Sequence, residues 1–334
     1  MANIIFSEGS GLQDSIFGKS QEPIKMFLEK RAEAFEAESV AKRIFSMENS
    51  THFGEKFTSL TAMEGFQPVG ENGAYPVDGM QESYSKFLEN VTWKNSFALS
   101  REIVDDANVI ELRRKPQAFI TAYYRTRERF AAFLIGEAVK GSTGAKFGGV
   151  KFDITGADGK CLFATDHPKK RRSGSQSNKF SNDFSAAVLG AMETRMQNTV
   201  GDSDEILDVS PDTIIIPNLY ALKNDVFAAI GADKSPETAN NAYNYVYGRW
   251  NVIVWPYLNQ YVTSGTAPWI LMDSRYNETY GSAVWLDRVK LEVKSEIAEN
   301  DANVWKGYAR FIAGFNDWRA FAVGGISGAT DLTA

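Results

Sequence analysis

Between Phe57 and Leu99 the sequence makes a long polar excursion with strand-like edges, and at about Pro116 it enters one long helix. On the return limb Val91, Trp93, Phe97 and Leu99 alternate with Thr92, Lys94, Ser96 and Ala98, the period-two pattern of a strand with one apolar face. The outer stretch, Gln67 to Gly79 with Tyr75 inside it, is turn chemistry with little to bury. A two-stranded ribbon of this kind is marginal in water by itself. Cover for Trp93 and Phe97 must therefore come from outside the ribbon, and the cheapest source is a second copy of the same chain.

The rest of the 334 residues limits what such a ribbon serves. That length suffices for two or three domains with real cores. Hydrophobic residues make up 43% and charged residues 23%, a globular balance. The 22 Phe, 13 Tyr and 7 Trp suit cores and large interfaces alike. A net charge of −6 argues against a dedicated nucleic-acid binder, although not against weak contact through one local patch. Cys161 is the single cysteine, so no intramolecular disulfide forms. The N-terminus has no basic region followed by an apolar core, and no apolar run is long enough to span a bilayer, so a soluble cytoplasmic product is expected. Two histidines, His52 and His167, leave little for a metal site or a catalytic triad.

Along the chain, residues 1–20 read as an extended arm and 22–47 as a helix opened by Pro23 with a thin apolar stripe. Ser100 to Leu112 reads as a short helix with Ser100 as its N-cap. Pro116 then opens a helix from Gln117 to about Lys140, roughly 36 Å long. Short strands are expected at Phe147–Ile154 and Cys161–Thr165, and a helix at Asp183–Asn198. A buried strand at Thr213–Ile216 precedes a helix over 218–230 that stops at Gly231. Strands follow at Trp250–Trp255, Trp269–Met272, Ala283–Val293 and Trp305–Phe315, and Trp318–Val323 is expected to close the sheet of the last two. The class is α+β, with strands and helices interleaved irregularly and no internal repeat.

Little in the sequence carries covalent chemistry. Gly156 to Lys160 departs from a phosphate loop at Ile154 and Cys161 and reads as a hairpin turn. Gly201 to Asp208 gathers four carboxylates but lacks the glycine and distal glutamate of a calcium loop, so it reads as a solvated turn. His167, beside Asp166, reads as a loop histidine fixed by Pro168 and a backbone hydrogen bond, and His52 supports nothing sharper. Asp105 and Asp106 are helix neighbours and do not face each other. Lys169, Lys170, Arg171 and Arg172 form the densest basic run. It suits a solvated loop tip or contact with a neighbouring subunit, ahead of contact with DNA phosphates.

Four stretches and an ending, taken in order, carry a family resemblance. They are Ser100–Asp106 followed by Phe119–Arg127, Leu162–Pro168, Pro211–Pro217, and Val252–Leu258 with Pro268–Asp273, and then Phe315–Arg319. In order and spacing they resemble the major capsid proteins of tailed bacteriophages, with the Hong Kong phage capsid fold, and especially the Mu-like major head subunits. The resemblance implies an N-terminal arm with a helix (1–54), an extended β loop (55–100), a peripheral domain with a spine helix (101–182 and 291–334) and an axial domain (183–290). It implies a self-assembling icosahedral or prolate shell of hexamers and pentamers around phage double-stranded DNA, present in the virion and assembled in the host bacterial cytoplasm. Portal, a separate scaffold or decoration protein, and weak contact with packaged DNA are the further partners implied. No catalytic residue, cofactor, metal or membrane is expected. The extended loop would lie on an adjacent subunit, making Tyr75, Trp93, Phe97 and the run Lys169–Arg172 the expected subunit contacts. Lys86 and Lys94 lie where some members form intersubunit crosslinks, which we do not expect here. The rivals are a shell of the same fold holding cargo enzymes, and a hydrolase using His167 with a carboxylate.

Overall fold

A computed structural model describes residues 5–6, 31–60, 69, 82–102, 109–170, 173–202, 204–231, 244, 246–263, 267–300 and 302–332. In chain order its elements are β1 (Ile5–Phe6), α1 (31–38), α2 (Ala41–Ile44), β2 (Ser46–Asn49), β3 (Gly54–Leu60), β4 (Glu82–Glu89), β5 (Val91–Leu99) and α3 (Val109–Lys140). There follow β6 (Gly144–Phe147), β7 (Val150–Asp153), β8 (His167–Pro168), β9 (Ser175–Gln176), α4 (Ala186–Gln197), β10 (Thr213–Pro217) and α5 (Tyr220–Ile230). The chain ends through β11 (Asn251–Trp255), a 3-10 turn (Pro256–Tyr261), β12 (Trp269–Met272), α6 (Ser274–Tyr280), β13 (Ala283–Ile297), β14 (Asn303–Phe315) and β15 (Phe321–Gly324).

Two sheets carry this α+β fold. In the first, β13 and β14 form a long antiparallel pair, β5 extends it antiparallel to β14, and β1 and β2 run parallel to β13. Alternation sets its inner face: Trp305, Ala309 and Phe311 are buried while Lys306 is exposed. Helix α3 lies on that face with Phe119, Ile120, Phe130 and Leu134 buried. Arg127 pins it there. Its guanidinium donates to both oxygens of Asp287, at 2.8 and 2.9 Å, and lies 4.6 Å from the Trp285 ring. This half-buried, two-pronged pair is a charge-assisted contact whose loss from one side leaves the other charge without its partner.

The second sheet has the order β11-β10-β12-β15, with β10 parallel to β11 and antiparallel to β12. Every residue of β10 is buried, as its continuous Ile214–Ile216 run demands of a strand covered on both faces. Helix α4 turns Leu189, Met192 and Met196 inward, and α5 turns Leu222, Val226 and Ile230 inward. The Ser185 hydroxyl caps α4 by accepting the Val188 amide. One apolar core runs through both sheets, from Phe130 and Trp285 to Ile215 and Trp269.

Several expectations need correction. Of the helix expected over 22–47, residues 22–30 lie outside the described residues, 31–38 and 41–44 are helical, and Ser46–Asn49 is a strand paired with β13. Pro116 does not open the long helix, which already runs from Val109 and carries the proline in its interior. Residues 103–108 of the expected short helix lie outside the described residues. Cys161–Thr165 forms no strand beyond a single bridge from Cys161 to Thr155. Phe321–Gly324 closes the second sheet beside β12, not the sheet of β13 and β14.

Candidate subunit-contact surfaces

Trp93 and Phe97 do not wait for a second copy. Strand β5 pairs along its length with β14, placing Trp93 opposite Ala309 and Phe97 opposite Trp305. The Trp93 ring stacks on Phe311 at 4.7 Å and meets Phe130 edge-on at 5.3 Å, and its indole N–H donates to the Phe311 carbonyl. Phe97 lies 5.2 Å from Phe119 and 6.1 Å from Trp305. Cover from outside the ribbon is thus supplied in part by this chain's own β14 and α3, which leave both rings half-buried. The alternating face was real, and residues two hundred positions further on cover it.

The ribbon itself is made by β3 and β4, not by the Trp93 limb. The chain pivots between them and β5 at Asn90, whose side-chain amide donates to Ser50 Oγ and the His52 carbonyl. Alternation gives β4 two faces. Leu88 and Lys86 point into the chain: Leu88 seats on Gly314, where a Cβ would lie 2.5 Å from its Cδ2, and the Lys86 amine donates to Asp153 and Thr155. Burial pushes the Asp153 carboxyl up, and the Lys86 hydrogen bond and Thr155 outweigh it to hold that carboxyl below its usual range. A Lys86 amine engaged inside its own chain is poorly placed for a link to a neighbour. The other face shows Phe87, 56% exposed, and Phe53 at the start of the ribbon is equally open. Helix α5 likewise leaves Tyr220 and Phe227 on its outer side, 85% and 50% exposed. Nothing periodic in the sequence marks these four rings. Single aromatic residues next to polar ones become notable only once exposure is known.

The basic run is engaged where it is described. The Lys169 amine pairs with Asp204, and the Lys170 amine lies 5.2 Å over the Tyr84 ring. Arg171, Arg172 and Tyr75 lie outside the described residues.

His167 departs from the expected loop histidine. It is fully buried, with Nδ1 2.6 Å from Asp158 Oδ2, Nε2 3.1 Å from Asn178 Oδ1, and its ring stacked 4.3 Å from Trp318. Side chains, not the backbone, hold it. A ring with both nitrogens engaged and no exposed edge offers no base to a substrate. Beside it Asp202, expected in a solvated turn, is buried and accepts from Arg319, which also donates to Asp317. Asp317 accepts from the Tyr276 hydroxyl, whose pKa is raised by burial first and by Asp317 next. Gly156–Lys160 is the expected turn, closed by the Gly156 amide on the Lys160 carbonyl. The Cys161 thiol is pushed up by burial. Among the described residues no group of three or more His, Cys, Asp or Glu side chains is placed to hold a metal, and no helix is long and apolar enough to cross a membrane.

A family model described as "Phage capsid protein" matches residues 85–324. Among solved structures the chain is similar to one from Microbacterium phage Oxtober96, at 12% identity and a TM-score of 0.48, covering 85% of this chain and 90% of that one. It is similar to the procapsid of bacteriophage JBD30 at 12% identity and a TM-score of 0.47, covering 92% and 76%. It is similar to the holo-SrpI encapsulin complex from Synechococcus elongatus PCC 7942 at 11% identity and a TM-score of 0.48, covering 87% of each. No curated protein matches the sequence.

Proposed function

The chain belongs to the phage capsid protein family and is a major capsid protein, and from that premise we propose how it works. Copies join through heterologous contacts that close into rings and, with curvature, into an icosahedral or prolate shell around double-stranded DNA. The role is structural, and the observation that carries it is the family match over 85–324, from the ribbon through both sheets. The first sheet with α3 forms the peripheral region and the second sheet with α4 and α5 the axial one. The outward rings of the ribbon, Phe53 and Phe87, lie on a neighbouring copy in place of Trp93 and Phe97. Portal, a separate scaffold or decoration protein, and assembly in the host cytoplasm complete the reading.

Negative-stain microscopy of the purified full chain tests this. Closed shells are expected, with nucleic acid rather than an enzyme inside particles taken from phage-producing cells. The double variant Phe53→Ser/Phe87→Ser should melt like the parent, since exposed changes cost within about 0.5 kcal/mol, and yet yield far fewer shells. A chain that stays monomeric at every concentration and in every salt overturns the reading.

A further inference from the structure

Although the chain is acidic overall, residues 112–129 carry six basic side chains, Arg113, Arg114, Lys115, Arg125, Arg127 and Arg129, against the single acid Glu128. Three of these side chains are engaged by their own chain. Glu128 accepts the Ser39 hydroxyl and the Ala41 amide, Arg127 turns inward to Asp287, and Lys115 donates to the Ala98 carbonyl. Arg114, Arg125 and Arg129 are exposed and make no ion pair among the described residues. On a helix turning about 100° per residue, these three fall on one line with Ala118, Thr121 and Ala122, within about 60° of each other's centre. The line is about 22 Å long at 1.5 Å per residue. Between Arg114 and Arg125 it sinks into a shallow depression of about 350 Å³ lined by Gln117, Ala118, Thr121 and Ala122. Further along the same face the chain covers itself: Gly136 lies so close beneath Tyr261 that a Cβ there would sit 2.2 Å from its ring. The face is closed at Gly136 and is exposed and basic at Arg114, Arg125 and Arg129.

We propose that this arginine stripe of α3 is where the subunit meets the phosphate backbone of double-stranded DNA, an inference that rests on the shell reading above. The lining favours a duplex. A protein partner needs an aromatic or aliphatic anchor at the centre of its contact, and the depression between Arg114 and Arg125 is lined by no apolar group larger than an alanine or threonine methyl, Gln117 being its one longer side chain. A single strand needs rings to stack on, and no ring lines the depression between Arg114 and Arg125. Guanidinium forks over a floor of small side chains suit phosphate oxygens and read no sequence. With three phosphates engaged, one subunit binds weakly, with a log–log salt slope of about −2.7. Many copies on one wall act together.

The test uses the purified full chain and a duplex of about 30 base pairs, with affinity measured between about 50 and about 200 mM salt. The parent is expected to lose about 40-fold in affinity across that range. Arg114→Gln/Arg125→Gln/Arg129→Gln should lose most of this salt dependence, and the triple Lys variant should keep it. An unchanged slope in the Gln variant overturns the inference, as does polyglutamate binding more tightly than the duplex at equal charge, which assigns the stripe to an acidic protein. Microscopy of the same samples separates the two readings: shells with an unaltered slope sink the stripe alone, while a parent that forms no shells sinks the capsid role.

Discussion

Trp93 packs flat on Phe311, edge-on to Phe130, and hydrogen-bonds the Phe311 carbonyl. Truncation removes a large aromatic surface and the indole hydrogen bond to that carbonyl. We expect Trp93→Ala to lower the unfolding free energy by about 3–5 kcal/mol, measured by urea titration of the dilute chain. A loss below about 1 kcal/mol would mean that the ring is covered by a neighbour after all. The alternation of Val91, Trp93, Phe97 and Leu99 disclosed that one face of this strand is buried. It was silent on the partner, because a ring in a ribbon and a ring in a sheet have the same local pattern. Lys86 repeats the lesson. Its charge suggests an exposed ribbon, and its amine lies buried on Asp153 and Thr155.

At the scale of elements, α3 was legible from about Phe119 onward, where Phe119, Ile120, Tyr123, Phe130 and Leu134 recur at helical spacing. Its start was not. A proline is common in the first turn of a helix, yet seven residues of helix precede Pro116. An interior proline removes one backbone hydrogen bond and crowds the preceding turn, at a cost of about 3 kcal/mol in an isolated helix. Pro116→Ala is therefore expected to raise stability by about 1–3 kcal/mol in thermal unfolding. A lowered midpoint would show that the buried proline ring itself is needed for packing. Strand β10 was legible throughout, since an uninterrupted Ile214–Ile216 run bounded by Pro217 has few alternatives in an α+β chain.

At the scale of the whole molecule, Asn178 ties distant segments together. Its amide donates to the carbonyls of Leu162 and Phe321, its oxygen accepts the Ala164 amide, and its own carbonyl accepts the Val323 amide. The loop that holds His167 is thus fastened to the end of the second sheet. Asn178→Ala leaves several buried groups unpaired at about 1–3 kcal/mol each, so a loss of at least about 3 kcal/mol is expected in denaturant unfolding. A loss under about 1 kcal/mol would show that water replaces the side chain at no cost. Legible in the residues alone were the class of the fold, most of its strands and helices, and the order of segments that resembles phage capsid subunits. Those are local matters of period, cap and turn. Three-dimensional packing sets the rest: Val91–Leu99 joins Asn303–Phe311, Phe321–Gly324 closes the second sheet, and certain rings and arginines stay exposed. Pairing across two hundred residues depends on how the assembled chain shares out its buried surface, and no stretch read alone carries that.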